Sequence, residues 1–281
     1  MCSFVEINYI CRPMNKVLVI IISGFLALGC SDYSKILKSK DYNLKFEKAK
    51  EYYHNGECSK ALPLLEELLS LFRLTAKGED VYYYYAKTNY CSKEYFVAAY
   101  YFKNFVKTYP GSERAEECLF LGAMCNVLNS PKPTLDQTET IKAINDLQLF
   151  MNRYPESSQQ DTCNTIIKGL RKKLEVKALN SAKLYYHMER YNSAQVALGN
   201  LLIDYPDTQF KEEILFLIVK ASFMLADNSI KVKKEERFKE TLKSYYKFAD
   251  AFPDSDEFKE AEGFYNTALK ELDKIKTNQE L

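Results

Sequence analysis

Apolar and small residues recur along this chain at helical spacing, and each recurrence closes on a stop. From Glu94, the small residue Ala98 and the large residues Phe102 and Phe105 follow at offsets four, eight and eleven, and Tyr109-Pro110 ends the stretch. Positions spaced this way share one helix face. The same grid fits residues 190–206, with Tyr191, Ala194, Leu198, Leu201 and Tyr205-Pro206. It fits residues 139–155, with Ala143, Leu147, Phe150 and Tyr154-Pro155, and residues 237–253, with Phe238, Tyr245, Phe248 and Phe252-Pro253. A weaker copy at 57–73 carries Ala61, Leu65, Leu68 and Phe72 without the proline. Five copies make internal repetition the feature that decides the fold. The proline cannot continue a helix and forces the residue before it out of the α region. Ser112, Ser157, Thr208 and Ser255 follow two residues after each proline and are expected to cap the next helix.

A second helix is expected before each copy. These first helices are placed at 42–56, 81–90, 112–128, 159–188 and 209–226, and the second helices at 57–72, 94–109, 139–154, 192–205 and 237–252. A last helix at 256–276 is expected to cover the terminal repeat, whose outer face has no neighbour. Loops are expected at 74–80, at the proline-punctuated 129–133, and at the lysine-rich 227–236. The expected organisation is a leader over 1–29, a tether over 30–41, repeats one to three over 42–155, and repeats four and five with the cap over 156–281. The fold class is all-α, an α-solenoid of about five helix pairs.

Composition agrees with mostly helix: the 281 residues include only 9 Gly and no Trp, against 22 Tyr and 17 Phe. A net charge of +1 gives no global field for nucleic acid or membrane. Lys16 followed by the apolar run 17–28, too short to span a bilayer comfortably, reads as an export signal. Met14 is the more plausible start, since residues 1–13 do not resemble the charged region of a signal. The run ends Leu26-Ala27-Leu28-Gly29-Cys30, which resembles a bacterial lipobox. That resemblance makes Cys30 the acylated first residue of the mature chain, carrying diacylglycerol and a palmitate-type acyl group. A plain signal peptide or a single anchor helix fits the same run. Cys58, Cys91, Cys118, Cys125 and Cys163 remain, and an odd number cannot all pair internally. Most of them are expected to be small core residues, their redox state open. No Cys-x-x-Cys occurs and His totals 2, so no metal or other cofactor is expected.

Ala49 and Ala61, Ala86 and Ala98, and Ala182 and Ala194 each lie twelve apart, with an aromatic three after the first at Tyr52 and Tyr185. This resembles the tetratricopeptide repeat over nearly all of 41–276. With the lipobox and the Tyr-Pro-x-Ser/Thr closures, the chain resembles the BamD family of outer-membrane assembly lipoproteins. The resemblance implies a periplasm-facing scaffold of the β-barrel assembly machine, lipid-anchored in the outer membrane. Its implied partners are the barrel-assembly subunit and the C-terminal segments of unfolded outer-membrane proteins. The alternative is another periplasmic repeat lipoprotein scaffolding cell-wall or division proteins. A third reading, glycan capture by stacked aromatics, predicts exposed Trp and large loops, which this chain lacks.

In such a repeat the first helices line the groove. Counting one, four and five residues from the small slot selects Lys50, Tyr53 and His54, then Lys87, Tyr90 and Cys91, then Lys183, Tyr186 and His187. Tyr83 also belongs to this face, whereas Tyr82 and Tyr85 are expected in the core. Lysine beside tyrosine suits an extended peptide ending in an aromatic residue and a carboxylate. The same residues fit an ordinary solvated face, and the two histidines fit favourable helix-end charges. No phosphate loop, nucleophile elbow or His-Glu-x-x-His motif is present, so an enzyme is not expected.

Overall fold

The computed structural model describes residues 32–72 and 75–277, so the expectations for Cys30 and for the leader fall outside the described residues. All regular structure among the described residues is helical. The helices are α1 (Tyr42–His54), α2 (Cys58–Phe72), α3 (Gly78–Cys91), α4 (Tyr95–Thr108), α5 (Ala115–Asn129), α6 (Thr138–Arg153), α7 (Gln160–His187), α8 (Tyr191–Asp204), α9 (Lys211–Asp227), α10 (Lys231–Ala251) and α11 (Phe258–Thr277). They group into two compact units that divide between Asn129 and Ser130. This lies before Pro131 and Pro133, one helix earlier than the division after Pro155 read from the sequence.

In the first unit each helix packs on the next, from α1 to α5. The small slots Ala49, Ala61, Ala86 and Ala98 are fully buried, and Phe46, Leu64, Leu65, Leu68, Val81 and Tyr85 fill the space beside them. Gly122 shows why the slot must be small. A Cβ there would stand 3.3 Å from the Cβ of Phe102, itself fully buried. In the second unit Leu179, Ala182, Leu198, Leu201 and Ile214 form one cluster. Phe216, Val219, Tyr245, Phe248 and Ala261 form another. The last helix covers α9 and α10, with Ala268 and Leu272 packed beside Ala226 and Phe238.

Two kinds of turn repeat, and the sequence explains both. Within a pair, Glu57 N–H donates to Tyr52 O at 2.8 Å while Gly56 N–H donates to Tyr53 O at 3.0 Å. The same double closure joins Glu94 to Asn89 and Lys93 to Tyr90, and Arg190 to Tyr185 and Glu189 to Tyr186. This is the helix ending that places one residue in the left-handed region. Gly56 occupies it at φ 77°, but Lys93 and Glu189 occupy it at 63° and 59°. Between pairs, the hydroxyls of Ser112, Ser157, Thr208 and Ser255 accept from the backbone two residues on, at 3.0–3.2 Å. Each next helix begins three residues after that hydroxyl, at Ala115, Gln160, Lys211 and Phe258. The serine therefore closes a turn that leads into the helix instead of sitting at its cap.

Several expectations are corrected. The expected loop at 227–236 is mostly helix, because Lys231–Ala251 runs unbroken from an extended Ile230. Lysine and glutamate there propagate a helix well, so polarity alone does not mark a loop. The loop at 74–80 shortens because α3 starts at Gly78. Residues 32–38 are helical, with Tyr33 and Ile36 against the first core, so the tether's second half is part of the fold. Cys58 and Cys91 are not independent core residues. They form a disulfide between the first residue of α2 and the last of α3. Cys118, Cys125 and Cys163 are buried free thiols, and burial pushes the first two up to about 12.

Candidate functional site

The residues singled out in the first unit come from α1 and α3. Ala49 and Ala86 are turned fully inward, so the residues one and four positions later emerge at the edge of the packed face. Lys50 lies over the Phe46 ring at 4.9 Å and pairs at 2.8 Å with Glu47 of its own helix. Tyr53 is half-buried and His54 exposed. Both meet Tyr84 of the next first helix edge-on, at 5.6 and 5.9 Å between ring centroids. The Tyr84 hydroxyl reaches His54 Nε2 at 3.5 Å. Tyr84 also packs on Phe46 at 6.0 Å. Tyr53, His54 and Tyr84 thus make one aromatic surface beside the Lys50 ammonium.

Tyr83 and Lys87 are committed elsewhere. Tyr83 donates to Glu117 Oε2 at 2.8 Å, and Lys87 donates to Glu117 Oε1 at 2.6 Å. Arg114 stacks 4.6 Å from the Tyr83 ring centroid and donates to Asp80 at 2.6 Å. Burial alone would raise the Glu117 carboxyl, but the hydrogen bonds from Lys87 and Tyr83 outweigh it and hold it below the usual carboxylate range. Burial works to lower Lys87, yet its bond to Glu117 and the nearby Tyr53 and Tyr83 rings keep it above the usual lysine range. Burial first, and donation to Glu117 second, push Tyr83 above the usual phenol range. Tyr90 packs inside its own pair, 5.6 Å from Tyr95 and 6.3 Å from Phe102. Tyr85 is buried, while Tyr82 is half-buried against Tyr101 at 5.5 Å and is pushed up to about 12, chiefly by burial.

The set in the second unit follows the same plan. Lys183 pairs with Glu213 of the next first helix, as Lys87 does with Glu117. Tyr186 packs against Tyr191 at 5.5 Å and against His187 at 6.0 Å, with His187 exposed. A third such bond joins Lys220 to Glu260 at 2.8 Å. The first two pairs are 30 residues apart and the third 40, the ten extra being the insertion at 227–236. So the lysine after the small slot is a clamp between successive repeats, and Lys50 departs from that rule by pairing within α1.

Sequence reasoning missed Tyr84, Arg114 and Glu117. A signal existed for Glu117: it lies as far beyond Lys87 as Glu213 lies beyond Lys183. Nothing in the spacing marked Tyr84, since Tyr82 to Tyr85 cover nearly a full turn. Among the described residues no cluster of three or more His, Cys, Asp or Glu could hold a metal ion. Among them also, no helix is long and apolar enough to cross a membrane.

A family model described as an outer membrane lipoprotein, YfiO, matches residues 38–241. The chain is 26% identical over 227 residues to the putative outer membrane protein assembly factor BamD of Aquifex aeolicus, covering 80% of this chain and 74% of that protein. It is 20% identical over 232 residues to the outer membrane protein assembly factor BamD of Pasteurella multocida, covering 79% and 89%.

Proposed function

This chain belongs to the YfiO family of outer membrane lipoproteins, and on that footing we propose that it is a non-catalytic scaffold in the assembly of outer-membrane β-barrel proteins. The role named for the two relatives above, outer membrane protein assembly, supports the process. Cys30 would carry the lipid that holds the repeats on the periplasmic side of the outer membrane. The Cys58–Cys91 disulfide suits that compartment, since such bonds persist where thiols are not kept reduced. The chain would bind the barrel-assembly subunit and receive the C-terminal segment of unfolded outer-membrane proteins.

The observation that carries the peptide-binding part is the aromatic surface of Tyr53, His54 and Tyr84 beside Lys50. Flat rings with polar edges accept an aromatic side chain, and the ammonium accepts a carboxylate. Lys50 is the cation suited to this role because its partner Glu47 lies on its own helix, whereas Lys87 and Lys183 are held by glutamates of the following repeat. The test is binding of a peptide ending in an aromatic residue and a free carboxylate. Replacing Lys50 by Gln with Tyr53 and Tyr84 by Ala should weaken binding at least tenfold while the helical circular-dichroism signal stays. Amidating the peptide's terminus should weaken binding to the unaltered protein as well. Unchanged affinity in both experiments would exclude this site. Recovery of cell-wall synthesis enzymes in place of the barrel-assembly subunit from solubilised envelope would exclude the assembly role.

A further inference from the structure

The junction of α9 and α10 presents apolar side chains that no packing explains. Ile230 is 69% exposed and Val232 is 89% exposed, the latter the most exposed of the large hydrophobics among the described residues. They alternate with Lys231 and Lys233, both exposed, and no acidic residue occurs from Asn228 to Lys234. Most of the nearby charges are engaged with one another, and Glu236, one turn on from Val232, is the exposed acidic group closest along the helix. Lys234 faces back to Asp227 at 3.7 Å, Arg237 donates to Ser229, and Glu235 pairs with Lys239 at 2.6 Å. Lys231 and Lys233 make no ion pair among the described residues. The result is a small apolar tip with two outward ammonium groups. β-Branched residues in solvent gain nothing for a helix, and lysines beside them gain nothing for a core.

We propose that this tip is a membrane-contact site that takes an anionic phospholipid surface. Ile230 and Val232 would enter the interface between head groups and acyl chains, and Lys231 and Lys233 would meet the phosphates. The chemistry fits a bilayer better than an acidic protein groove, because two apolar side chains standing clear of the surface match a soft interface that deforms around them. Each lysine near an anionic leaflet contributes modestly, and so does each buried apolar side chain, so the tip acts as a second contact and not as an anchor. This inference needs only that a bilayer is close at hand, which rests on the family assignment. It does not depend on the peptide-binding face.

The test is a local probe in the full chain. Asn228→Cys is labelled with an environment-sensitive fluorophore, and a control label is placed on α11 at Lys270→Cys. The protein is mixed with vesicles of phosphatidylethanolamine and phosphatidylglycerol, or of phosphatidylcholine alone. The expected result is a blue shift at position 228 with the anionic vesicles and none at position 270. Lys231→Gln with Lys233→Gln should raise the lipid concentration for half-maximal shift about thirtyfold. Ile230→Ser with Val232→Ser should remove the shift. The site is overturned if the label at 228 stays in water on anionic vesicles that hold the protein by its lipid. It is equally overturned if the shift appears only when a partner protein is added. If the chain does not hold to vesicles through Cys30, the anchoring reading fails separately, and vesicles added from outside still decide for the tip.

Discussion

At the scale of single residues, Glu117 does the most with one side chain. It accepts from Tyr83 and Lys87 together and so ties α3 to α5. Its carboxyl is held below the value of 4.5 expected for a free glutamate. A depressed acid stabilises the folded state above its unfolded pKa, and that contribution fades as pH falls through the folded one. Unfolding by urea should therefore show a midpoint that drops as pH falls below about 4.5, and Glu117→Gln should flatten that drop. Because the side chain is partly open to water, the effect is modest. A variant whose midpoint falls as steeply as that of the unaltered chain would show that other carboxylates set the acid limit. The three free thiols make a residue-scale contrast. They are buried where the apolar slots of the repeat require a small side chain, so they serve as packing and not as reactive groups.

At the scale of the element, the tight turn inside three of the helix pairs sets the register. It places a left-handed residue at position 56, 93 or 189, and only the first is glycine. A side chain there costs roughly 1–2 kcal/mol, part of which glycine gives back through its freer unfolded state. Lys93→Gly and Glu189→Gly should each raise stability by roughly 0.5–1 kcal/mol, read as a higher urea midpoint. Gly56→Ala should lower it by a similar amount, although the space around Gly56 is open, because the strain lies in the backbone. These turns also mark how far the sequence could be read. The second helices were legible to within a residue or two where Tyr-Pro or Phe-Pro ends them, since proline cannot continue a helix. The start of α10 was not, because a lysine-rich stretch favours a helix and a loop alike. The clamps were half legible. Lys50, Lys87 and Lys183 stand out by position, but Lys87 and Lys183 meet glutamates 30 places on, beyond any local pattern, whereas Lys50 pairs with Glu47 three places before it. Tyr84 was hidden for the opposite reason, because four consecutive tyrosines leave the helix face ambiguous until packing decides.

At the scale of the whole molecule, a repeat array gains stability mainly from neighbour to neighbour, so a covalent bond between neighbours acts on its own region first. The Cys58–Cys91 bond spans 33 residues and joins the first helix pair to the second. Closing a loop of that length removes unfolded-state freedom worth about 3–4 kcal/mol. The aromatic surface of Tyr53, His54 and Tyr84 spans the same two pairs, so the bond holds the proposed peptide-binding face in register. Cys58→Ser with Cys91→Ser should therefore expose the amides of α1 to α4 to hydrogen exchange far sooner, while those of α9 to α11 keep their protection. Peptide affinity should fall with it, and it should fall less if Tyr53, His54 and Tyr84 are arranged by packing alone. Adding a reductant to the unaltered chain should reproduce the exchange pattern without any substitution. Equal loss of protection in α9 to α11 would mean that the bond stabilises the chain as one cooperative body. No loss anywhere would mean that the Phe46, Leu65 and Tyr85 core carries the first unit unaided.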